Sequence, residues 1–377
     1  MTAASDSAKW RRQVALALVP SLHCNLRCAH CFAATDKNTP AMSEGDLVAL
    51  LDQIEPLGLR AVEITGGEFF AYKPAPAILP RLAALSVPTT IFTNGTLLET
   101  KHLDAIGGSQ VTLRMSLDGP APLHDEVRGA GAFAAMSDAA RLCRDSGVDF
   151  ELSSTVTRSS LPKVAETVQA ALELGARGIS FGPLHRLGGR STAIAEERLD
   201  DEGCVDLAAT LTALRERVPD GFDLSWRTMT MRAVAVMHPC SVYACWGDNC
   251  LSQKHWPNYL AVLPDGTVLP QSLHIHRRYS IGNGIHDGLS ELLLGYWGST
   301  KHDEFRRLCR HIYQDLIYGS ERPLFLWDEL AYEASQRPVE ELPVHETVTH
   351  PYDHTEEMAE ARRAGELDDV VFPLPFR

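Results

Sequence analysis

The stretch Val14-Ala15-Leu16-Ala17-Leu18-Val19-Pro20-Ser21-Leu22-His23-Cys24-Asn25-Leu26-Arg27-Cys28-Ala29-His30-Cys31 carries two signals in succession. An apolar run, Val14–Val19, reads as a buried strand, and three cysteines spaced four and three apart follow on a polar loop. Outward from there the same theme recurs to about residue 187. Strand candidates are Val14–Val19, Ala61–Thr65, Thr89–Thr93, Val111–Leu117, Asp149–Val156 and Gly178–Pro183. Between them Ser43–Leu57, Pro76–Leu85, Leu98–Ile106, Ala134–Ser146 and Leu161–Leu174 have helical length, with Ser43 as an N-cap. Strand and helix in alternation imply an α/β protein with a parallel sheet and helices outside it, either doubly wound or a full or partial barrel. In both arrangements chemistry gathers at the carboxyl ends of the strands.

The formal net charge of −14 over 377 residues argues against a general nucleic-acid binder, which needs a basic face. The apolar run near the N-terminus is too short to cross a membrane and has no cleavage pattern after it, so a cytoplasmic location without a membrane partner is expected. Thiols in that compartment stay reduced, so the nine cysteines are expected to be ligands, reactive groups or packing rather than disulfides. Cys24, Cys28 and Cys31 can direct three thiolates at one metal centre and leave a coordination position open. Zinc is the alternative, with His23 or His30 completing a closed set of four.

Cys24, Cys28 and Cys31 match the CxxxCxxC signature of the radical S-adenosylmethionine (SAM) superfamily, which the chain resembles over roughly residues 14–190. Further motifs fall in that family's order: Gly66-Gly67-Glu68 after the second strand, Thr93-Asn94-Gly95 after the third, Ser116-Leu117-Asp118-Gly119 after the fourth, then His124-Asp125-Glu126-Val127-Arg128-Gly129. The resemblance implies a partial (β/α)6 TIM-like barrel with a smaller α+β C-terminal extension. It also implies a [4Fe-4S] cluster on the three cysteines, SAM on the fourth iron, a flavodoxin- or ferredoxin-type electron donor, and a 5′-deoxyadenosyl radical that abstracts hydrogen from substrate. Carried over residue by residue, Gly66 and Gly67 let backbone approach SAM and Glu68 accepts from its ammonium. Asn94 belongs to the SAM-binding set, Ser116 serves a polar group, Arg128 suits the carboxylate, and His30 stands where an aromatic residue neighbours the adenine. Phe69 departs from the family's usual proline.

Residues 1–13 form an N-terminal segment, 14–190 the barrel, 191–337 the extension and 338–377 a tail. In the extension Asp200–Arg217 and Ser290–Cys309 read as helix, and Leu260–Leu269 as a hairpin turned by Pro264-Asp265-Gly266. This half resembles a SPASM or twitch-type extension in degenerate form, with Gln271 at the place where a cysteine usually follows the hairpin. Cys240, Cys245 and Cys250, with Cys309, can hold an auxiliary [4Fe-4S] cluster, or one of the first three can act catalytically as a hydrogen-atom donor. Inert packing is the third reading. Cys143 and Cys204 lie on helical segments and read as core. His274, His276 and His286 surround a turn, and His345, His350 and His354 have no evident scaffold. Glu151, Ser153 and Thr155 alternate along the fifth strand, so they share one face that can look into the barrel.

Three functions fit these residues. The first is hydrogen abstraction from a small polar natural product, a sugar or aminocyclitol, giving epimerisation or dehydrogenation. The second is maturation of a ribosomally made precursor peptide. A zinc-stabilised binding module, without catalysis, is the third.

Overall fold

The computed structural model describes residues 14–31, 39–187, 194–227, 229–231, 259–296 and 299–345. Six strands come where the sequence places them: β1 Ala15–Ser21, β2 Ala61–Gly66, β3 Thr89–Thr93, β4 Val111–Ser116, β5 Phe150–Val156 and β6 Gly178–Pro183. They pair in parallel and in sequence order. A seventh parallel strand, β7 Asp223–Trp226, adds beside β6. Among the described residues the sheet does not close, so the architecture is an open, TIM-like partial barrel.

The extension is continuous with the barrel's sheet. Strand β9 Tyr259–Val262 pairs in parallel with β1, and β10 Thr267–Pro270 and β11 Gly282–Asn283 follow in antiparallel order. The short strands β8 Met229–Met231 and β12 Leu324–Leu326 form a separate pair. Because β1 has a neighbour on each edge and packed layers on both faces, all seven of its residues are buried. That is why it reads as an unbroken apolar run instead of an alternating one.

Pleating sends neighbouring residues to opposite faces. Leu16, Leu18, Leu260 and Val262 enter a core under the outer helices, whereas Ala17 and Ala261, paired in register, enter a second core with Phe305, Leu308 and Ile312. Small side chains there let the helix Thr300–His311 approach the sheet. On the outer side the helix Ala132–Asp145 buries Ala132, Met136, Ala139, Ala140 and Cys143, a single stripe at helical spacing. Cys143 and Cys204 are both core residues.

Two expected helices are broken. Ser43 does cap its helix by accepting from the Asp46 amide, but the segment divides into Glu44–Leu51 and Ile54–Leu57, ending at Gly58 in the left-handed region. The expected Ser290–Cys309 helix is two, Leu289–Tyr296 and Thr300–His311, with Ser299 capping the second. At Ser299 a side-chain oxygen offered to a backbone amide competes with helix continuation, and periodicity alone does not register this.

Candidate active site

The carboxyl ends of β1 to β4 deliver the motif residues to one mouth of the barrel, around a cavity of about 590 Å³. Cys24, Cys28 and Cys31 line it together with His30, Gly66, Gly67, Glu68, Asn94, Ser116 and Arg128. Sulfur-directed donors already surround two of the thiols. The Leu26 amide lies 3.4 Å and Asn94 Nδ2 3.8 Å from Cys24 Sγ, and Arg128 Nη1 lies 3.9 Å from Cys28 Sγ. Burial pushes the Cys28 thiol up to about 11, with the Arg128 guanidinium pulling it down. Three thiols from one loop, facing a cavity and supplied with N–H and cationic donors, fit an iron–sulfur cluster held as thiolates. When bound, the cluster supplies the electron that cleaves SAM and starts radical chemistry.

The two glycines also make a close contact within the protein. A Cβ on Gly67 would lie 2.0 Å from the His23 carbonyl oxygen, and one on Gly66, whose φ is +116°, would lie 2.7 Å from that of Ser21. The Gly67 and Glu68 amides donate to Ser21 and His23 across this contact, each at 2.8 Å. The pair therefore docks the end of β2 against the root of the cysteine loop.

Glu68 is 2% exposed and already engaged. Its Oε1 accepts from the Phe70 amide and Thr93 Oγ1, and its Oε2 accepts from the Asn94 amide at 2.7 Å. It thus joins β2 to β3 at the cavity wall. Phe69, at the family's proline position, is buried in a short 3-10 turn. Asn94 Nδ2 donates to Asn25 Oδ1 at 3.0 Å, a second tie onto the cysteine loop.

His30 and Arg128 converge on Asp118, a residue the sequence motif contains but assigns no role. His30 Nε2 is 2.9 Å from Asp118 Oδ2, a contact at the ring's edge that orients the imidazole at the cavity. Arg128 Nε donates to the same oxygen at 2.6 Å, while Oδ1 accepts from the Thr155 amide. Burial would raise this carboxyl, but the charges of Arg128 and His30 outweigh it and hold Asp118 well below the usual carboxylate range.

Below the cysteine loop the barrel's inner wall is polar. Ser153 and Thr155 line the cavity, as does Arg227 beyond β7. Glu151, one step further in, is paired with Arg114 of β4. Glu63 on β2 is 4% exposed; Tyr259 of β9 donates to its Oε2 at 2.9 Å, and its Oε1 takes no hydrogen bond among the described residues. Sequence reading passed over Glu63, Tyr259 and Arg227. The available signal was a carboxylate midway along the apolar strand Ala61-Val-Glu63-Ile-Thr65, on the alternation that faces inward.

Cys240, Cys245 and Cys250 lie outside the described residues. Cys309 is fully buried in the second apolar core, which raises its thiol far above the ordinary value. Gln271, after β10, is the one non-glycine with positive φ, +67°, among the described residues. His276 Nδ1 accepts from the Arg278 amide, while His274 is half-buried and His286 exposed.

Residues 18–166 match the model of the Radical SAM superfamily, and the chain carries a radical SAM domain over them. The antilisterial bacteriocin subtilosin biosynthesis protein AlbA of Bacillus subtilis is 28% identical over 42% of this chain and 36% of its own length. An AdoMet-dependent heme synthase of Oleidesulfovibrio alaskensis is 31% identical over 41% of each. A PqqA peptide cyclase of Ruegeria pomeroyi is 26% identical over 66% of this chain and 64% of its own. The first two matches thus span about two fifths of those relatives. In fold, Streptococcus suis SuiB bound to precursor peptide SuiA has a TM-score of 0.62 at 19% identity, covering 79% of this chain and 69% of that one. Native anSMEcpe with bound AdoMet has 0.59 at 18%, covering 85% and 95%. Among the described residues no helix is long and apolar enough to cross a membrane.

Proposed function

We propose that this protein is a radical SAM enzyme that binds a [4Fe-4S] cluster on Cys24, Cys28 and Cys31 and modifies a ribosomally made precursor peptide in the barrel. The observation that carries the reading is the single cavity shared by the three cysteines and the inner-wall residues Ser153, Thr155 and Arg227. A reactive group generated at the loop and a substrate on the wall then meet inside one protein-lined space. Hydroxyls and a guanidinium along that wall suit the amide and carbonyl groups of a peptide. Relatives named for a bacteriocin's biosynthesis, for a killing factor's maturation and for cyclising a peptide favour this substrate class.

In this scheme Arg128 and Asn94 shape the SAM end, and Ser116 borders it. An electron donor of flavodoxin or ferredoxin type delivers the electron. The charged pair Arg114–Glu151 and the buried Glu63 favour a second reading, a small polar substrate such as a sugar or aminocyclitol undergoing epimerisation or dehydrogenation. Relatives named for heme synthesis lend that sugar chemistry no support.

Anaerobic reconstitution tests the first part: an absorbance shoulder near 400 nm, and release of 5′-deoxyadenosine from SAM on reduction. Turnover in deuterium oxide with candidate precursor peptides, and separately with sugars, tests the second. A mass change on peptide supports maturation. Solvent deuterium in a recovered sugar moves the assignment to epimerisation, and a zinc-loaded protein without iron refutes both.

A further inference from the structure

We infer that His311, Asp315 and His345 form a divalent-cation site of zinc type on the extension, apart from the cysteine loop. His311 closes the helix Thr300–His311, and Asp315 sits in the π-helical stretch Ile312–Tyr318 that continues it. Such a widened turn is uncommon and recurs at functional sites. Here it stacks the two side chains, His311 Nδ1 lying 2.6 Å from Asp315 Oδ2. His345 Nε2 comes to 2.8 Å from the same oxygen, and the three ligand atoms lie within 4.8 Å of one another.

Two imidazoles and one carboxylate are a recurrent zinc donor set, with a fourth position left for water. Around such an ion the nitrogen–oxygen separations would open by roughly half an ångström, replacing two hydrogen bonds by three coordinate bonds. His311 is 5% exposed at its side chain, whereas Asp315 and His345 are 36% and 24% exposed, so the cluster has a solvent side where that water fits.

His345 has a scaffold that the sequence does not reveal. Leu342, three residues earlier, is 1% exposed in the second core, and the Arg307 guanidinium donates to the Leu342 and Glu340 carbonyls. The backbone therefore presents His345 to the π turn in advance, which lowers the entropy cost of gathering ligands. The ion would clip residues 338–345 to the helix that carries Cys309.

The test uses reconstituted holoenzyme dialysed against metal-free buffer, given a slight excess of zinc chloride and desalted. Zinc and iron are then counted by mass spectrometry, and melting is followed with and without zinc. Wild type should retain about one more zinc than His345→Ala or Asp315→Asn at equal iron content, and zinc should raise its melting temperature by roughly 3 °C or more, a shift both variants lose. His345 is partly exposed, so its replacement leaves a folded protein even where changes at buried His311 do not. SAM cleavage should be unaffected by either variant. Equal zinc content in all three proteins, or a wild-type melting temperature indifferent to zinc, would overturn the site and leave a hydrogen-bonded His–Asp–His clamp.

Discussion

Asp118 Oδ2 and Arg128 Nε are 2.6 Å apart in a pocket where Asp118 is 2% exposed, so the guanidinium beside Cys28 is oriented by a carboxylate ten residues away. His30, one residue before Cys31, shares that oxygen. Asp118→Asn leaves a buried cation with a weakened partner, and removing one member of such a pair costs about 3–5 kcal/mol. Chemical denaturation should show a loss of that order, accompanied by weaker SAM binding. Unchanged stability would mean that Arg128 finds another partner.

Replacing any one of Cys24, Cys28 or Cys31 by Ala should abolish 5′-deoxyadenosine formation while the protein remains folded by circular dichroism. None of the three is among the residues of the two apolar cores. Retained cleavage in any single variant would contradict the cluster assignment.

Gly67→Ala should impair iron incorporation because its Cβ would meet backbone, the His23 carbonyl oxygen at 2.0 Å, and backbone cannot rotate away as a side-chain tip can. Gly295→Ala is the control. It lies in the helix Leu289–Tyr296, nothing is within 4 Å of its Cβ position, and alanine there should stabilise by about 0.5–1 kcal/mol with full iron content. Iron counts after reconstitution compare the two.

Glu63 should make stability depend on pH. Burial pushes its carboxyl up to about 7, against the Tyr259 hydrogen bond and the charge of Arg114. Between roughly pH 4.5 and 7 the folded protein holds a proton that the unfolded chain has released, so this group's contribution to stability falls as pH rises through that window. Glu63→Gln removes the term. Its stability relative to wild type, from denaturant melts, should improve by on the order of 2 kcal/mol between pH 5 and pH 8. A pH-independent difference would mean that Glu63 stays ionised.

Glu68→Gln should loosen the junction of β2 and β3 as well as SAM binding. One oxygen that accepts from Phe70 and Thr93, or the other that accepts from Asn94, becomes an NH2 facing donors. Faster amide exchange at Asn94 and Gly95 would report it, and protection equal to wild type would confine Glu68 to ligand binding.

The alternation of strand and helix, and the placing of Cys24, Cys28 and Cys31 just after the first strand, were legible because they depend on periods and spacings within short stretches. Local patterns of this kind survive in the chain whatever it packs against. What only the tertiary structure decided are the encounters between distant residues. Tyr259 reaches Glu63 because β9 takes the free edge of β1, Asp118 gathers His30 and Arg128, and Gly67 is a glycine because the His23 carbonyl lies where its Cβ would be. Likewise Cys309 shares a buried core with Phe305, Leu308 and Ile312, and His345 is held by an anchor at Leu342. A residue's type sets which bonds it can make, but which partner stands within reach is fixed by sheet order and by which face of each strand is covered, and no single stretch of sequence encodes that.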